Sequence, residues 1–202
     1  ILEEAEKWKK KLTLIDVDFS KAYDSTEKFA KEISLRRMGF PEEGLELWQM
    51  YDDSRNMRIM TAFEITEGFH PECGAWGQGA VESPTGWLGF MCWMSEYVEK
   101  MSKDSYIYGK NDFQLKITKV IYADDGTYFQ KSRKGGQNIM NAVATFATAT
   151  GIVVKPSKSY MYSTDKGPPI MIPTYDQSHD SKLGKVTTTK LKELGENDFF
   201  RH

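Results

Sequence analysis

The stretch LTLIDVDFSKAYD, residues 12–24, decides how the rest of the chain is interpreted. Its first eight residues predict a β-strand whose side chains alternate between two faces. One face carries Leu12, Leu14, Asp16 and Asp18, and the other carries Thr13, Ile15, Val17 and Phe19. A carboxylate at the end of an apolar strand costs free energy unless something pairs with it. The strand therefore predicts charge chemistry at its end, beginning with Asp18.

The composition of the 202 residues is that of an ordinary globular protein, one domain or two small ones. The longest apolar run, Pro84–Met94, is shorter than the ~20 residues that span a bilayer. No signal peptide is present, and Cys73 and Cys92 lie too far apart to suggest a disulfide framework or a metal site. We therefore expect an intracellular protein, nuclear or cytoplasmic, that is neither secreted nor bound to membranes.

The net charge of −2 argues against a simple basic protein that binds nucleic acid. The charge is unevenly spread, because residues 1–99 hold 11 Lys/Arg and 19 Asp/Glu, whereas residues 100–202 hold 16 and 10. Such asymmetry is compatible with one acidic and one basic functional surface, or with chance. The lysine run at positions 7, 9, 10 and 11 is interpreted as a solvated face before the first strand, with a phosphate contact as the lesser alternative.

Periodicity and capping signals predict an α+β fold, in which helices pack on one face of an antiparallel sheet. Helices are predicted from a cap at Ser25 to Met38, from Pro41 to Arg55, from Ser83 onward and from Gly136 to Thr150. Strand pairs are predicted over Met57–Phe69 and Leu115–Gln130, and a short strand over Ile152–Val154. The proline-containing stretch after Gly167 is expected to be a loop.

A second acidic site lies in the sequence YADDG, residues 122–126, where Asp-Gly is a strong signal for a hairpin turn. If its strands neighbour the first strand, then Asp18, Asp124 and Asp125 converge. Like charges that close would not all stay ionised unaided, and a hard divalent cation such as Mg²⁺ would neutralise them. Two such ions would clamp the attacking and leaving oxygens of a phosphoryl transfer.

A glycine-rich loop, Gly77-Gln78-Gly79, leads into the helix that begins at Ser83. Glycine lets the backbone approach a ligand closely, and a helix N-terminus favours negative charge. The same residues would also serve as an ordinary junction between a loop and a helix.

Four segments in this order resemble motifs A to D of reverse transcriptases, in the form found in non-long-terminal-repeat retrotransposons and group II intron proteins. They are DFSKAYDS (18–25), QGAVESP (78–84), YADD (122–125) and GIVVKPSKS (151–159). The resemblance covers about residues 12–202, and ENDFFRH (196–202) is similar to the start of the family's next motif. It implies a polymerase palm, with the fingers before this chain and the thumb after it.

By this resemblance, Asp18, Asp124 and Asp125 are the catalytic, metal-binding carboxylates, and the Phe19 carbonyl is a further ligand. Tyr23 matches the aromatic residue that excludes a ribose 2′-OH. Gln78 and Gly79 match residues that border the incoming nucleotide. Lys158 matches a lysine suited to offer a proton or a charge to the departing pyrophosphate.

The resemblance implies an RNA-directed DNA polymerase of a retroelement, acting with two Mg²⁺ ions or with Mn²⁺ as a substitute. The expected partners are an RNA template, a DNA or RNA primer and deoxynucleoside triphosphates; the oligomeric state is left open. The 202 residues alone are expected to have little polymerase activity.

Two alternatives belong to other classes. A catalytically idle palm would act as an RNA-binding or scaffold module, although retention of three costly aspartates argues against decay. A diguanylate cyclase would need a GG[DE][DE]F-like turn, which YADDG does not match.

Overall fold

A computed structural model describes residues 1–69, 76, 77, 81, 83–175, 186–195 and 198. The chain divides into two compact units. The first unit comprises Ile1–Ser20 and Met94–His202, and the second unit comprises Lys21–Trp93. Among the described residues, no helix is both long enough and apolar enough to cross a membrane.

The helices are α1 (Leu2–Lys7), α2 (Ala22–Ser25), α3 (Lys28–Arg37), α4 (Glu42–Ser54), α5 (Ser83–Met101) and α6 (Arg133–Thr150). The strands are β1 (Thr13–Val17), β2 (Phe19–Ser20), β3 (Tyr106–Lys110), β4 (Phe113–Ile117), β5 (Lys119–Tyr122), β6 (Asp125–Gln130), β7 (Val153–Val154), β8 (Tyr160–Ser163), β9 (Met171–Tyr175), β10 (Val186–Lys190) and β11 (Lys192–Glu193). A single 3₁₀ turn is recorded in the described part, at Pro156–Lys158.

The first unit is built on a five-stranded sheet with the order β11-β8-β1-β6-β5. Strand β1 pairs antiparallel with both β6 and β8, and β5 pairs antiparallel with β6, whereas the short β11 joins β8 in parallel. The predicted first strand is therefore the centre of the sheet. This arrangement confirms the α+β class with a mainly antiparallel sheet.

One face of the sheet is covered by α6. Ser132 caps this helix by accepting a hydrogen bond from the Gly135 N–H, and Gly151, at φ 84°, ends it. Gly136 lies so close to the strand that an added Cβ would come within 3.0 Å of Ile15 Cδ1 and 3.1 Å of Thr13 Cγ2. The side chains of Thr13 and Ile15 therefore face the helix, as the alternation in the sequence predicts.

The opposite face carries an apolar cluster at the start of β1. Leu12 and Leu14 are buried there with Ala5 of α1, Tyr106 of β3 and Phe129 of β6. Leu14 lies opposite Phe129 in the strand register, and cross-strand partners share a face. Asp16 and Asp18 continue this face toward the other end of the strand, so the two predicted faces are confirmed.

The second unit contains the predicted helix pair α3 and α4, held together by a buried ion pair. Lys31 Nζ lies 2.7 Å from Asp52 Oδ2, and both residues are more than 90% buried. The Lys31 ammonium also lies 4.7 Å from the Trp48 ring centroid and 5.4 Å from that of Trp76. A buried charge is tolerated only with such compensation.

The structure differs from the sequence predictions at two places in this unit. The prediction that Ser25 caps a long helix is wrong, because Thr26 adopts an extended conformation and separates α2 from α3. Its hydroxyl instead donates to the Ala22 carbonyl at 2.8 Å and closes the short helix. The strand pair predicted over Met57–Phe69 is present as two isolated antiparallel bridges, Met57 with Phe69 and Met60 with Ile65.

Part of the stretch predicted to be a loop after Gly167 is a strand. Strand β9 pairs with β10, and Pro173 faces Thr188 within that ladder. The Gln137 side chain of α6 binds the backbone of Met171 in both directions, each hydrogen bond being 2.8 Å long. This long-range contact fixes an extended conformation that local proline and glycine signals do not predict.

Glu4 gives the first unit a pH-dependent contribution to its stability. Its carboxylate accepts hydrogen bonds from Lys10 Nζ and the Tyr106 hydroxyl. Burial alone would raise the pKa of Glu4, but these bonds and the Lys10 charge lower it below the ordinary value of 4.5. The ionised carboxylate therefore stabilises the fold at neutral pH, and this contribution is lost as the pH falls through 4.5 toward the folded-state pKa.

We predict that Glu4→Gln lowers the free energy of unfolding by about 1–3 kcal/mol at pH 7, because it removes charge-assisted hydrogen bonds. The difference from the wild type should shrink as the pH is lowered below 4.5. Urea unfolding at several pH values measures it, with the exposed neighbour Glu3→Gln as control. An equal loss in both variants, or a loss independent of pH, would contradict the assignment.

Candidate functional site

The carboxylates singled out in the sequence meet at one end of the sheet because β1 and β6 are neighbours. Asp16 faces Thr127 and Val17 faces Gly126. Extending this register by one residue sets Asp18 opposite Asp125. The sequence predicts that these carboxylates converge only if the two strands are neighbours, and the strand order shows that they are.

The hairpin between β5 and β6 presents Asp124 at its tip. Tyr122 pairs with Asp125, so the two turn residues are Ala123 and Asp124 rather than the predicted Asp-Gly dipeptide. Ala123 has φ 54°, in the left-handed region that a side chain disfavours. The fold therefore holds Ala123 in a disfavoured conformation directly before Asp124, at the tip of the hairpin.

Gly126 has a packing role inside β6. An added Cβ would lie 3.2 Å from the Tyr128 hydroxyl oxygen and 3.3 Å from a ring carbon of the same residue. Tyr128 is fully buried, and burial raises the pKa of its phenol well above its usual range. Glycine at position 126 therefore leaves room for the Tyr128 ring beneath the hairpin.

The backbone of Asp18 is clamped by the segment around Lys158. The Asp18 N–H donates to Ser159 Oγ at 3.2 Å, and the Lys155 N–H donates to the Asp18 carbonyl at 2.8 Å. The Ser159 hydroxyl in turn donates to the Lys155 carbonyl at 3.0 Å. Ser159 itself is completely buried, and these partly buried bonds fix where β1 ends.

Lys158 lies in the 3₁₀ turn Pro156–Lys158, directly before the clamping serine. Its side chain is exposed, and its positive charge acts on Asp125. The turn therefore holds an exposed cation within electrostatic range of Asp125. Phe19 directly follows the clamped residue Asp18. Its side chain is buried, and its backbone in β2 pairs with Val154 of β7.

Burial and the acidic residues at this end of the sheet raise the pKa of the Asp125 carboxyl above its ordinary value. Loss of solvent raises the pKa of its carboxyl, the negative charges of Asp124, Asp16 and Asp18 raise it further, and Lys158 opposes them. All four groups thus act electrostatically on Asp125. The end of the sheet concentrates negative charge, as the sequence predicts.

Asp16 joins this acidic group, although none of the sequence motifs predicts a functional role for it. The Thr127 hydroxyl donates to Asp16 Oδ1 at 2.8 Å, so this carboxylate is partnered within the sheet. The spacing of two between Asp16 and Asp18 was the available signal, because residues at that spacing share a face.

The chemistry of these donors fits a hard divalent cation, although no ready-made cage is present. Among the described residues, no three Asp, Glu, His or Cys side chains form a group that could hold a metal ion. Mg²⁺ is commonly bound by one or two carboxylates, with waters and substrate phosphates completing its shell. Asp18 and Asp124 could fill that role, with the Phe19 carbonyl and Asp125 nearby in sequence.

Tyr23 belongs to α2 in the second unit. Its ring is half-buried against Trp87, with 5.0 Å between centroids, and Trp87 in turn stacks on Phe90 of α5 at 5.0 Å. This aromatic column gives the Tyr23 ring a fixed support within its unit. Gln78 and Gly79 lie outside the described residues.

Comparisons with known proteins bear on the family and the fold. A family model described as "Reverse transcriptase (RNA-dependent DNA polymerase)" matches residues 2–195. A search of curated proteins finds no match.

Two solved structures resemble the chain. Apo telomerase from Candida tropicalis, truncated from its C-terminal domain, aligns with a TM-score of 0.59 and 11% identity over 85% of this chain and 34% of that chain. Telomerase from Candida albicans, in complex with a TWJ fragment of telomeric RNA, aligns with a TM-score of 0.51 and 11% identity over 84% of this chain and 29% of that chain. At this identity the likeness shows the fold alone, and it confirms the polymerase palm; the chain spans about a third of these structures' length.

We predict that Ser159→Ala destabilises the first unit by about 1–3 kcal/mol, because it removes the buried hydroxyl that accepts from the Asp18 N–H and donates to the Lys155 carbonyl. Urea unfolding measures the loss. The control is Ser157→Ala in the same 3₁₀ turn, whose exposed side chain should change stability by less than about 0.5 kcal/mol. Equal stabilities for the two variants would show that the clamp does not hold the end of β1.

Proposed function

Since the chain belongs to the reverse transcriptase family, we propose that it is the catalytic palm of an RNA-directed DNA polymerase. In this proposal it transfers deoxynucleotides to a primer 3′-OH and copies an RNA template into DNA. The observation that carries the proposal is the pairing of β1 with β6, which brings Asp18 and the Asp124-Asp125 hairpin to one end of the sheet.

The acidic residues have distinct proposed roles. Asp18 and Asp124 bind divalent ions, two Mg²⁺ or Mn²⁺ in their place, and Asp125 adds negative charge beside them. When bound, such ions stabilise the charge that develops on the reacting phosphate. The Ser159 clamp and the Ala123 turn hold the two carboxylate-bearing segments in place, so that little reorganisation is needed during reaction.

Lys158 is proposed to meet the leaving group. Its exposed ammonium sits on a short turn within electrostatic range of Asp125, so it can approach a pyrophosphate held beside the carboxylates. There it would donate a proton or offset charge on the departing oxygens. Gln78 and Gly79 are proposed to border the incoming nucleotide, on the strength of the motif they match.

The biological setting is also a proposal. The form of the four motifs supports a retroelement polymerase of the non-long-terminal-repeat or group II intron type, in the nucleus or the cytoplasm. Its partners would be an RNA template, a DNA or RNA primer and deoxynucleoside triphosphates. The family supports the RNA template most directly, and one structural neighbour is a telomerase in complex with telomeric RNA.

The alternative function is a catalytically idle palm that binds RNA or acts as a scaffold. Against it stands the concentration of Asp16, Asp18, Asp124 and Asp125 at one sheet end. An unused cluster of this kind would be destabilised by its own repulsion.

We predict that Asp18→Asn or Asp124→Asn lowers primer extension by the full-length protein about a hundredfold or more, because each removes a charge that acts in the transition state. Binding of Mn²⁺ to the 202-residue chain, followed by electron paramagnetic resonance, should weaken in the same variants.

The matched control is Asp112→Asn, an exposed aspartate on the turn between β3 and β4. It should leave both synthesis and Mn²⁺ binding unchanged. Undiminished synthesis in Asp124→Asn would overturn the polymerase assignment. RNA binding that persists in a wild-type protein without synthesis would favour the scaffold function.

We also predict that Tyr23→Ala relaxes the choice of sugar, because the aromatic ring would otherwise collide with a ribose 2′-OH. The ratio of kcat/KM for deoxynucleotides over ribonucleotides should fall roughly tenfold, with the change mainly on the ribonucleotide side. Single-nucleotide incorporation measures the ratio. Tyr51→Ala, which removes an exposed tyrosine from the same unit, should keep the wild-type ratio; an unchanged ratio in Tyr23→Ala would refute the assignment.

A further inference from the structure

A basic cavity lies in the first unit at the opposite end of β1 from the carboxylates. Its volume is about 470 Å³, and four lysines line it: Lys10, Lys11, Lys110 and Lys131. The Gln114 side chain adds an uncharged polar group, and no Asp or Glu is among the described residues that line the cavity. Positive charge from three separate segments therefore converges on one concave surface.

The lysines have different roles in this cavity. Lys10 is anchored, because its ammonium binds Glu4 and the carbonyl oxygens of Ile107 and Gly109. It occupies carbonyl oxygens that would otherwise repel an anion. Lys10 is therefore partly buried and hydrogen-bonded, whereas the sequence predicts that it lies on a solvated face.

The other three lysines are exposed, so that their positive charge is accessible to an anion in solution. Lys11 has one carboxylate partner, Asp165, at 3.4 Å, and its side chain is 71% exposed. Such a surface ion pair contributes little and exchanges readily for another anion. Lys110 and Lys131 project from the end of β3 and from the residue after β6, and neither has a carboxylate within salt-bridge distance in the described part of the chain.

An exposed aromatic ring stands beside the cavity. Trp8 is 45% exposed, and the Lys110 ammonium lies 4.2 Å from its ring centroid, with that of Lys7 at 5.4 Å. Aromatic side chains among lysines are the combination that holds single-stranded nucleic acid, because bases stack on the ring while cations follow the phosphates.

We propose that this cavity and Trp8 form a second contact for single-stranded nucleic acid, separate from the carboxylate end of the sheet. The phosphates would lie against Lys11, Lys110 and Lys131, and a base would stack on Trp8. The identification of the polyanion as nucleic acid rests on the proposed function. Lys11 and Asp18 are seven residues apart along an extended strand, roughly 20 Å, so one strand of several nucleotides could reach both places.

The first test measures the salt dependence of binding by the 202-residue chain. The probe is a fluorescent RNA of about 12 nucleotides, followed by anisotropy in EDTA over a series of salt concentrations. Lys110→Gln combined with Lys131→Gln should weaken binding and lower the slope of log K against log salt by about 1.4, since each phosphate contact on a single strand contributes about 0.7.

The matched control is Lys100→Gln combined with Lys190→Gln, which removes two exposed charges of the same unit that do not line the cavity. This control should change the slope of log K against log salt by clearly less than Lys110→Gln with Lys131→Gln does. An equal change in the two double variants would overturn the proposal, because binding would then follow overall charge rather than the cavity.

Trp8→Leu distinguishes single-stranded nucleic acid from other ligands that carry phosphate groups. It should weaken binding about tenfold with the salt slope unchanged, since it removes stacking and no cation. A duplex of the same length should bind less well than the single strand. If pyrophosphate displaces the RNA at equal phosphate concentration and Trp8→Leu has no effect, the cavity binds free phosphate groups and the proposal fails.

The test is independent of the carboxylate site. EDTA removes divalent ions, and binding is compared in an Asp18→Asn and Asp124→Asn background. Binding that persists there and is lost in Lys110→Gln with Lys131→Gln supports the cavity whatever the outcome for synthesis. Circular dichroism of each variant checks that loss of binding does not come from unfolding.

Discussion

The antiparallel pairing of β1 with β6 is the constraint on which the rest of the first unit depends. Its register sets Val17 against Gly126, so the residues that follow, Asp18 on one strand and the Asp124 hairpin on the other, must share one end of the sheet. A shift of one residue would turn Asp18 to the opposite face. The apolar pairs further along the strand, Leu14 with Phe129 among them, make that shift costly because it would expose them.

The same face of the sheet combines two environments that oppose each other energetically. At the start of β1 it is buried under α1 and β3, and at the end it bears repelling carboxylates. The apolar packing at the buried end offsets the repulsion between carboxylates at the acidic end. The Ser159 clamp joins the backbone of Asp18 to the turn that carries Lys158, so that this carboxylate-bearing residue and this cation belong to one connected set of hydrogen bonds.

Individual residues show which features of the fold can be predicted from sequence patterns and which cannot. The alternation from Leu12 to Asp18 predicts both faces of β1, because a strand has a period of two whatever surrounds it. The Asp-Gly signal predicts a hairpin in the right place but centres it wrongly, since packing of Tyr128 against Gly126 draws the glycine into β6. Local signals do not predict strand β9, because Gln137, more than thirty residues away, binds the backbone of Met171 in that strand.

The sequence by itself determined the residue types of the chemistry, their order along the chain and the α+β class, because these depend on local periodicity and on motifs. Only the tertiary structure decided that β1 and β6 are neighbours, that Ser159 clamps Asp18, and that Lys10 is anchored while Lys110 and Lys131 face a cavity. Each of these depends on contacts between residues far apart in the chain. Such contacts are selected by burial and hydrogen bonding of the whole unit and leave no fixed spacing in the sequence.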